Sequence, residues 1–148
     1  MSTLGRTADR DALIARIERL SPDANAVWGR MNAPQMLAHC ADALRMGLGD
    51  LPVKPKHATI PRMALFKWLF LNVLPFPKGA PTAKELISRT PETWGVERSQ
   101  LIELMKRAGG DESRSVTAEH PLFGPLTRAQ WGQLAWKHLD HHLRQFGV

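Results

Sequence analysis

The sequence has a single cysteine, Cys40, and no tyrosine. One thiol can neither close an intrachain disulfide nor build a thiolate metal cluster. A long apolar run is also missing. The most apolar stretch, Ile60 to Leu74, is broken by Arg62, Lys67 and Asn72 and closed by Pro75. It falls short of the roughly 20 apolar residues that a membrane span requires, so no membrane partner is expected. The N-terminal segment MSTLGRTADRD lacks the apolar core of a signal peptide, and a reducing cytoplasm is the expected compartment. Neither a period-two strand pattern nor an internal repeat occurs along the chain. There is an excess of positive charge, 20 Lys and Arg against 14 Asp and Glu, but no basic cluster. The cations fall as scattered pairs, Arg16 and Arg19, Lys54 and Lys56, Arg62 and Lys67, Lys106 and Arg107. Nucleic-acid binding concentrates such charge on one face, so a nucleic-acid partner is not expected.

What remains is ordinary globular material. Hydrophobic residues make up 43% and charged residues 23%, and the 148 residues suffice for one domain, expected to span 1–148. Leu13, Ile14, Ile17 and Leu20 recur at helical spacing and predict a first helix of about three turns, closed by Ser21-Pro22. Asn32 is a good N-cap, Pro34 suits a first helical turn, and Met36, Leu37, Cys40, Ala43, Leu44 and Leu48 mark a buried stripe that ends near Gly47 and Gly49. Leu51 to Thr59 reads as an exposed connection. Met63, Phe66, Leu69, Phe70 and Val73 predict a short, heavily buried helix after Pro61. Pro75, Pro77, Gly79 and Pro81 make another irregular crossing, followed by a helical turn or two within Thr82–Arg89. A further helix is predicted from Val96 to Ala108, with Gly109-Gly110 as its stop. Asp111 to Pro125 has no period. Thr127 and Gln130 then form a capping box, and Leu134, Leu139, Leu143 and Phe146 carry the last helix to Gly147. Four principal helices joined by long crossings predict an all-α four-helix bundle.

The chemistry concentrates in histidine. Three of the six stand in Lys137-His138-Leu139-Asp140-His141-His142. On a helix His138 and His142 are one turn apart, with Cβ atoms roughly 5–6 Å from each other, so both imidazoles can reach one ion. A third ligand should come from a neighbouring helix. His39, flanked by Met36, Leu37, Cys40 and Ala43, is the best placed. Three neutral imidazoles leave a position open for water or substrate, and such a set suits zinc, nickel, copper or iron. The plainer alternatives are a hydrogen-bonded core histidine for His39 and a helix-dipole complement for the C-terminal pair. Asp42, three residues after His39, and Gln145, three after His142, are candidates to accept the ligands' free ring protons. Cys40 points elsewhere and reads as core. His120 precedes the last helix and is expected to anchor its loop or to hydrogen-bond a ligand over the site. His141 is offset by about 100° from His142 and is expected to face solvent, to cap the helix, or to stand at the pocket with His120, Phe123 and Trp131. Phe123 and Trp131 are core material first and pocket walls second. His57 belongs to a lysine-rich surface loop.

These residues give the chain a family resemblance. Met36-Leu37-Ala38-His39, the run from His120 to Thr127 and the run from Trp131 to Gly147 together resemble the DinB-like (DinB/YfiT) superfamily of helical-bundle metalloenzymes, in a subfamily of unknown function. The likeness spans Trp28 to Gly147, strongest at the two histidine-bearing helices. It implies an up-down-down-up bundle, often dimeric, in which His39, His138 and His142 bind nickel, zinc or a similar divalent ion. It also implies a thiol S-transferase-like activity with a low-molecular-weight thiol and a small-molecule substrate. A hydrolase-like reaction of water at the same ion is the nearest variant, and a non-catalytic metal- or ligand-binding protein, stress-related in role, is the alternative.

Overall fold

A computed structural model of the chain describes residues 1–55, 59–110 and 118–148. The described residues form six α-helices and one 3-10 turn, with no strand among them. The helices are α1 (Thr7–Arg19), α2 (Ala33–Leu48), α3 (Thr59–Arg62), α4 (Ala64–Asn72), α5 (Trp94–Gly110) and α6 (Arg128–Gln145), with the 3-10 turn at Lys84–Leu86. None is long and apolar enough to cross a membrane. His57 and residues 111–117 lie outside the described residues.

The two helices that matter most are set locally. Asn32 accepts from the Gln35 amide at 2.9 Å while the Gln35 side chain accepts from the Asn32 amide at 3.0 Å, closing the first turn of α2. Thr127 and Gln130 close α6 in the same reciprocal way. Gly49, at φ 82°, ends α2 in the left-handed conformation that glycine adopts without a Cβ penalty.

Packing makes these elements an all-α bundle. Helices α1 and α2 each pack against both α5 and α6, which closes a ring of four. Side-chain pairs along the seams give the directions. The Leu4 amide bonds the Gly132 carbonyl at one end, and Arg16 meets Asp140 at 2.7 Å at the other, so α1 and α6 run parallel. Arg45 reaches Gln100, and Arg107 pairs with Asp50, so α2 runs with α5. His39 faces His138 while Gly47 lies against Trp131, so α2 opposes α6. The order is up-down-down-up, and the described residues between α2 and α5 lie along the length of the bundle. Leu13, Ile17, Met36, Leu37, Leu101, Met105, Leu139 and Leu143 fill its centre. A second apolar cluster, including Met46, Phe70, Phe123, Trp131 and Leu134, lies outside α6 beneath the crossing segment.

Two expectations need correction. The Gly109-Gly110 pair belongs to the last turn of α5, which is described to Gly110 and so extends past the expected end at Ala108. Gly109 lies against the Leu4 carbonyl, where a Cβ would collide, so the glycine serves a close approach between chain segments. The helix of residues 59–73 is broken in two and is not heavily buried: Met63 is 55% and Val73 60% exposed. It packs on the outside of α6 and against Phe76 and Phe123, which covers Phe70 and Leu71 but leaves the opposite face open.

Candidate metal centre

Each of the three histidines reaches the site for a reason written into its helix. His138 and His142 are one turn apart on α6, and His39 stands mid-way along α2, on the turn that the antiparallel packing brings opposite them. The Nε2 atom of His138 lies 3.0 Å from Nε2 of His39 and 3.1 Å from Nε2 of His142. The three ligand atoms all lie within 4.8 Å of one another. The rings meet edge to face, with centroids 4.6 to 4.9 Å apart.

The far side of two rings fixes their tautomers. His39 Nδ1 sits 3.1 Å from the Leu86 carbonyl, which can only accept, so Nδ1 carries the proton and Nε2 offers a lone pair. Gln145 donates its amide to the Trp28 carbonyl at 2.7 Å, which turns its own carbonyl oxygen to His142 Nδ1, also at 2.7 Å. His142 therefore offers a lone pair at Nε2 as well. Two lone pairs converge on the nitrogen of a third imidazole, and one shared proton satisfies only one of them. A single ion at about 2.0–2.1 Å from each nitrogen would satisfy all three and would hold tetrahedral ligands about 3.3 Å apart, within a few tenths of an ångström of the 3.0 and 3.1 Å that separate His138 from His39 and His142. A buried three-histidine group that can hold a metal ion is what these residues form.

Burial tunes the same atoms. Desolvation lowers the pKa of all three rings, to about 3 for His142, and the neighbouring histidines lower that of His138 further. For His39 the Leu86 carbonyl and the Asp42 charge partly oppose that lowering. The rings are therefore neutral at physiological pH, the form in which imidazole binds metal.

The sequence-proposed neighbours divide. Gln145 holds His142, where it was expected. Asp42 does not accept from His39: its carboxylate pairs with Arg45 at 2.5 Å and with Arg89 at 3.2 Å, and the Leu86 carbonyl takes its place. The reason is angular. Three residues along α2, Asp42 is turned toward the 84–92 segment, where two arginines outbid a neutral imidazole. Arg89 also forks onto fully buried Glu97, at 2.5 and 2.9 Å, and together they pin that segment to α5. Sequence reasoning missed this network, although a signal existed. Glu97 occupies the apolar stripe of α5 with Leu101, Leu104 and Met105, a position that an acid holds only with a buried partner. It also missed Phe76, whose ring stacks against His138 and His141.

The trio opens on a cavity of ≈ 950 Å³ walled mostly by apolar side chains of α2, α6 and the crossing segment. His120, Phe123, Trp131 and His141 all line it. His141 thus contributes to the wall beside Trp28 and Phe76, half-buried, and does not cap the helix. Phe123 and Trp131 belong to the second apolar cluster as well as to the wall. Cys40 lines the cavity too, but burial pushes its thiol pKa up, so it is not a ready nucleophile.

A family model described as "Protein of unknown function (DUF1569)" matches residues 5–147, nearly the whole chain. No curated protein and no solved structure gives a significant match.

Proposed function

Because the chain belongs to the DUF1569 family, whose description names no reaction, we propose its function from the site: His39, His138 and His142 hold one divalent ion, and the chain is a metal-dependent enzyme that joins a low-molecular-weight thiol, or water, to a small electrophile. The observation that carries this reading is the convergence of the three Nε2 atoms, two of them with lone pairs fixed by Leu86 and Gln145. A divalent ion there lowers the pKa of a coordinated thiol or water enough to supply a nucleophile near neutral pH. The protein's part is to keep three imidazoles neutral, to leave the fourth position facing the cavity, and to hold the electrophile's apolar body against Phe76 and Leu134. Zinc and nickel are the preferred ions, since imidazole ligands suit both.

Kinship with the DinB-like metalloenzymes is part of the same proposal. The up-down-down-up order and the position of the histidines on the second and last bundle helices support it. A homodimer and a single domain over the whole chain follow from that kinship, and sedimentation of the purified protein decides the first.

Metal analysis and titration of untagged protein test the core of the reading. One zinc or nickel ion per chain is expected, lost in His39→Ala and His142→Ala. Wild-type protein that takes up none of zinc, nickel or cobalt would overturn it.

A further inference from the structure

His120 is the one histidine of the cavity wall that belongs neither to the trio nor to α6. It is held by a tight loop, in which its amide bonds the Gly124 carbonyl at 2.9 Å and the Gly124 amide bonds its carbonyl at 2.8 Å. Gly124 turns the chain at φ 68°. Inside that loop the amides of Leu122 and Phe123 both donate to His120 Nδ1, at 3.1 and 3.2 Å. Two donors on one ring nitrogen leave it no proton of its own. The neutral ring therefore carries its proton on Nε2. Burial lowers the pKa of His120 to about 4, so that tautomer holds across the physiological range.

Among the described residues Nε2 of His120 has no acceptor, and it is not among the side-chain atoms sealed from solvent without a partner. The ring lies between Phe123, at 4.8 Å, and Trp131, at 5.5 Å, both in the cavity wall. Trp131 precedes His138 by seven residues on α6, about two turns or ~10 Å of helix rise, and His120 still lies near enough for its charge to bear on His138. The wall between them is apolar, with Leu134 on α6 and Phe70 facing it from α4. The loop thus presents a fixed donor to a cavity that otherwise offers hydrocarbon over that stretch.

We propose that His120 is a second anchor of the site, its Nε2–H donating to an oxygen acceptor of the substrate at a point of the cavity wall apart from the three histidines. The proposal rests on the metal-site reading and deepens it by naming a substrate class: an elongated, largely apolar molecule with its reacting end at the trio and a carbonyl, ether or hydroxyl oxygen at the other. An all-hydrocarbon ligand would leave the Nε2–H buried without a partner, and the site would discriminate against it for that reason.

The probes are a series of ω-mercapto amides of graded chain length, taken at the length that binds best, and the alkanethiol of that same length. Each is titrated into cobalt-loaded protein and followed by the cobalt absorption. Wild type should bind the amide about tenfold more tightly than the plain thiol. His120→Phe, checked for fold by circular dichroism and for metal content, should bring the two within about twofold while still binding the plain thiol. Equal affinities in wild type, or a preference that survives His120→Phe, would overturn the proposal. The same compounds are added to metal-free protein while the His120 Nε2 resonance is observed by nitrogen-15 NMR. A shift with the amide and none with the alkanethiol is expected. If cobalt does not bind, the metal reading has failed, and this second arm alone decides: an Nε2 resonance that ignores the amide refutes the anchor.

Discussion

Gln145 accepts the Nδ1 proton of His142 at 2.7 Å, and it can do so in only one orientation because its amide nitrogen is committed to the Trp28 carbonyl. A side chain on the same helix thereby ties His142 to the loop before α2. Its removal tests what that orientation is worth. Gln145→Ala should weaken metal affinity by about 10- to 100-fold, the usual effect of deleting a ligand's outer partner. Gln145→Glu keeps the acceptor and should lose much less. Competitive titration with a coloured chelator measures both, and equal losses in the two variants would show that the hydrogen bond to His142 is not what matters.

The second hold on the site acts at a distance. Glu97 is fully buried against Arg89, and Arg89 also reaches Asp42, so the segment carrying Leu86 is pinned to α2 and α5. Glu97→Ala leaves Arg89, partly exposed and still paired with Asp42, without its buried partner and should cost about 1–3 kcal/mol of stability in urea unfolding. It should also loosen the carbonyl that orients His39, so metal affinity should fall even under conditions where the variant is fully folded. A destabilised variant with unchanged metal affinity would separate the ion pair from the site.

What could be read from the sequence follows how local each cause is. The caps of α2 and α6 and the stripes behind them are set within a few residues, so both helices and their three histidines are legible from spacing alone. The bundle order is legible only through a family resemblance, because pairs such as Arg16 with Asp140 join residues far apart in the chain. Residues 49–93 hide their role, since prolines and glycines remove the periodic signal. The contributions of Leu86 and Trp28 are backbone carbonyls, which no side-chain pattern announces. Helix α4 is misleading for another reason. With Leu65, Phe66, Trp68, Leu69 and Phe70 it is apolar on every side, and periodicity cannot tell which face the bundle covers.

Acid should expose the buried loop histidine. The folded-state pKa of His120 is lowered to about 4, against an ordinary value near 6.5, so as pH falls the unfolded chain takes up this proton first. Stability that is present above pH 6.5 is therefore lost progressively between about 6.5 and 4, at up to about 1.4 kcal/mol per pH unit from this group. His120→Asn retains an acceptor for the Leu122 and Phe123 amides and does not titrate. Urea midpoints of metal-free protein across that range should fall less steeply for His120→Asn than for wild type. Parallel slopes would mean that the ring is protonated in the folded state after all.

The last prediction separates a reactive ion from a structural one. An ion that binds only the folded chain adds about 2.7 kcal/mol at a free concentration a hundred times its Kd, worth roughly 5–10 °C in Tm for a chain of this size. Zinc should raise the Tm of wild type by that order and leave His142→Ala unmoved. Chelation should return wild type to its metal-free Tm without unfolding it at room temperature. The reason lies in the placement of the core: Leu13, Ile17, Leu37, Leu101, Met105 and Leu139 pack between the four bundle helices and do not depend on the imidazoles for their contacts. A protein that loses its helical signal when the ion is stripped would instead use the three histidines as a clasp between α2 and α6. The non-catalytic reading of the site would then replace the enzymatic one.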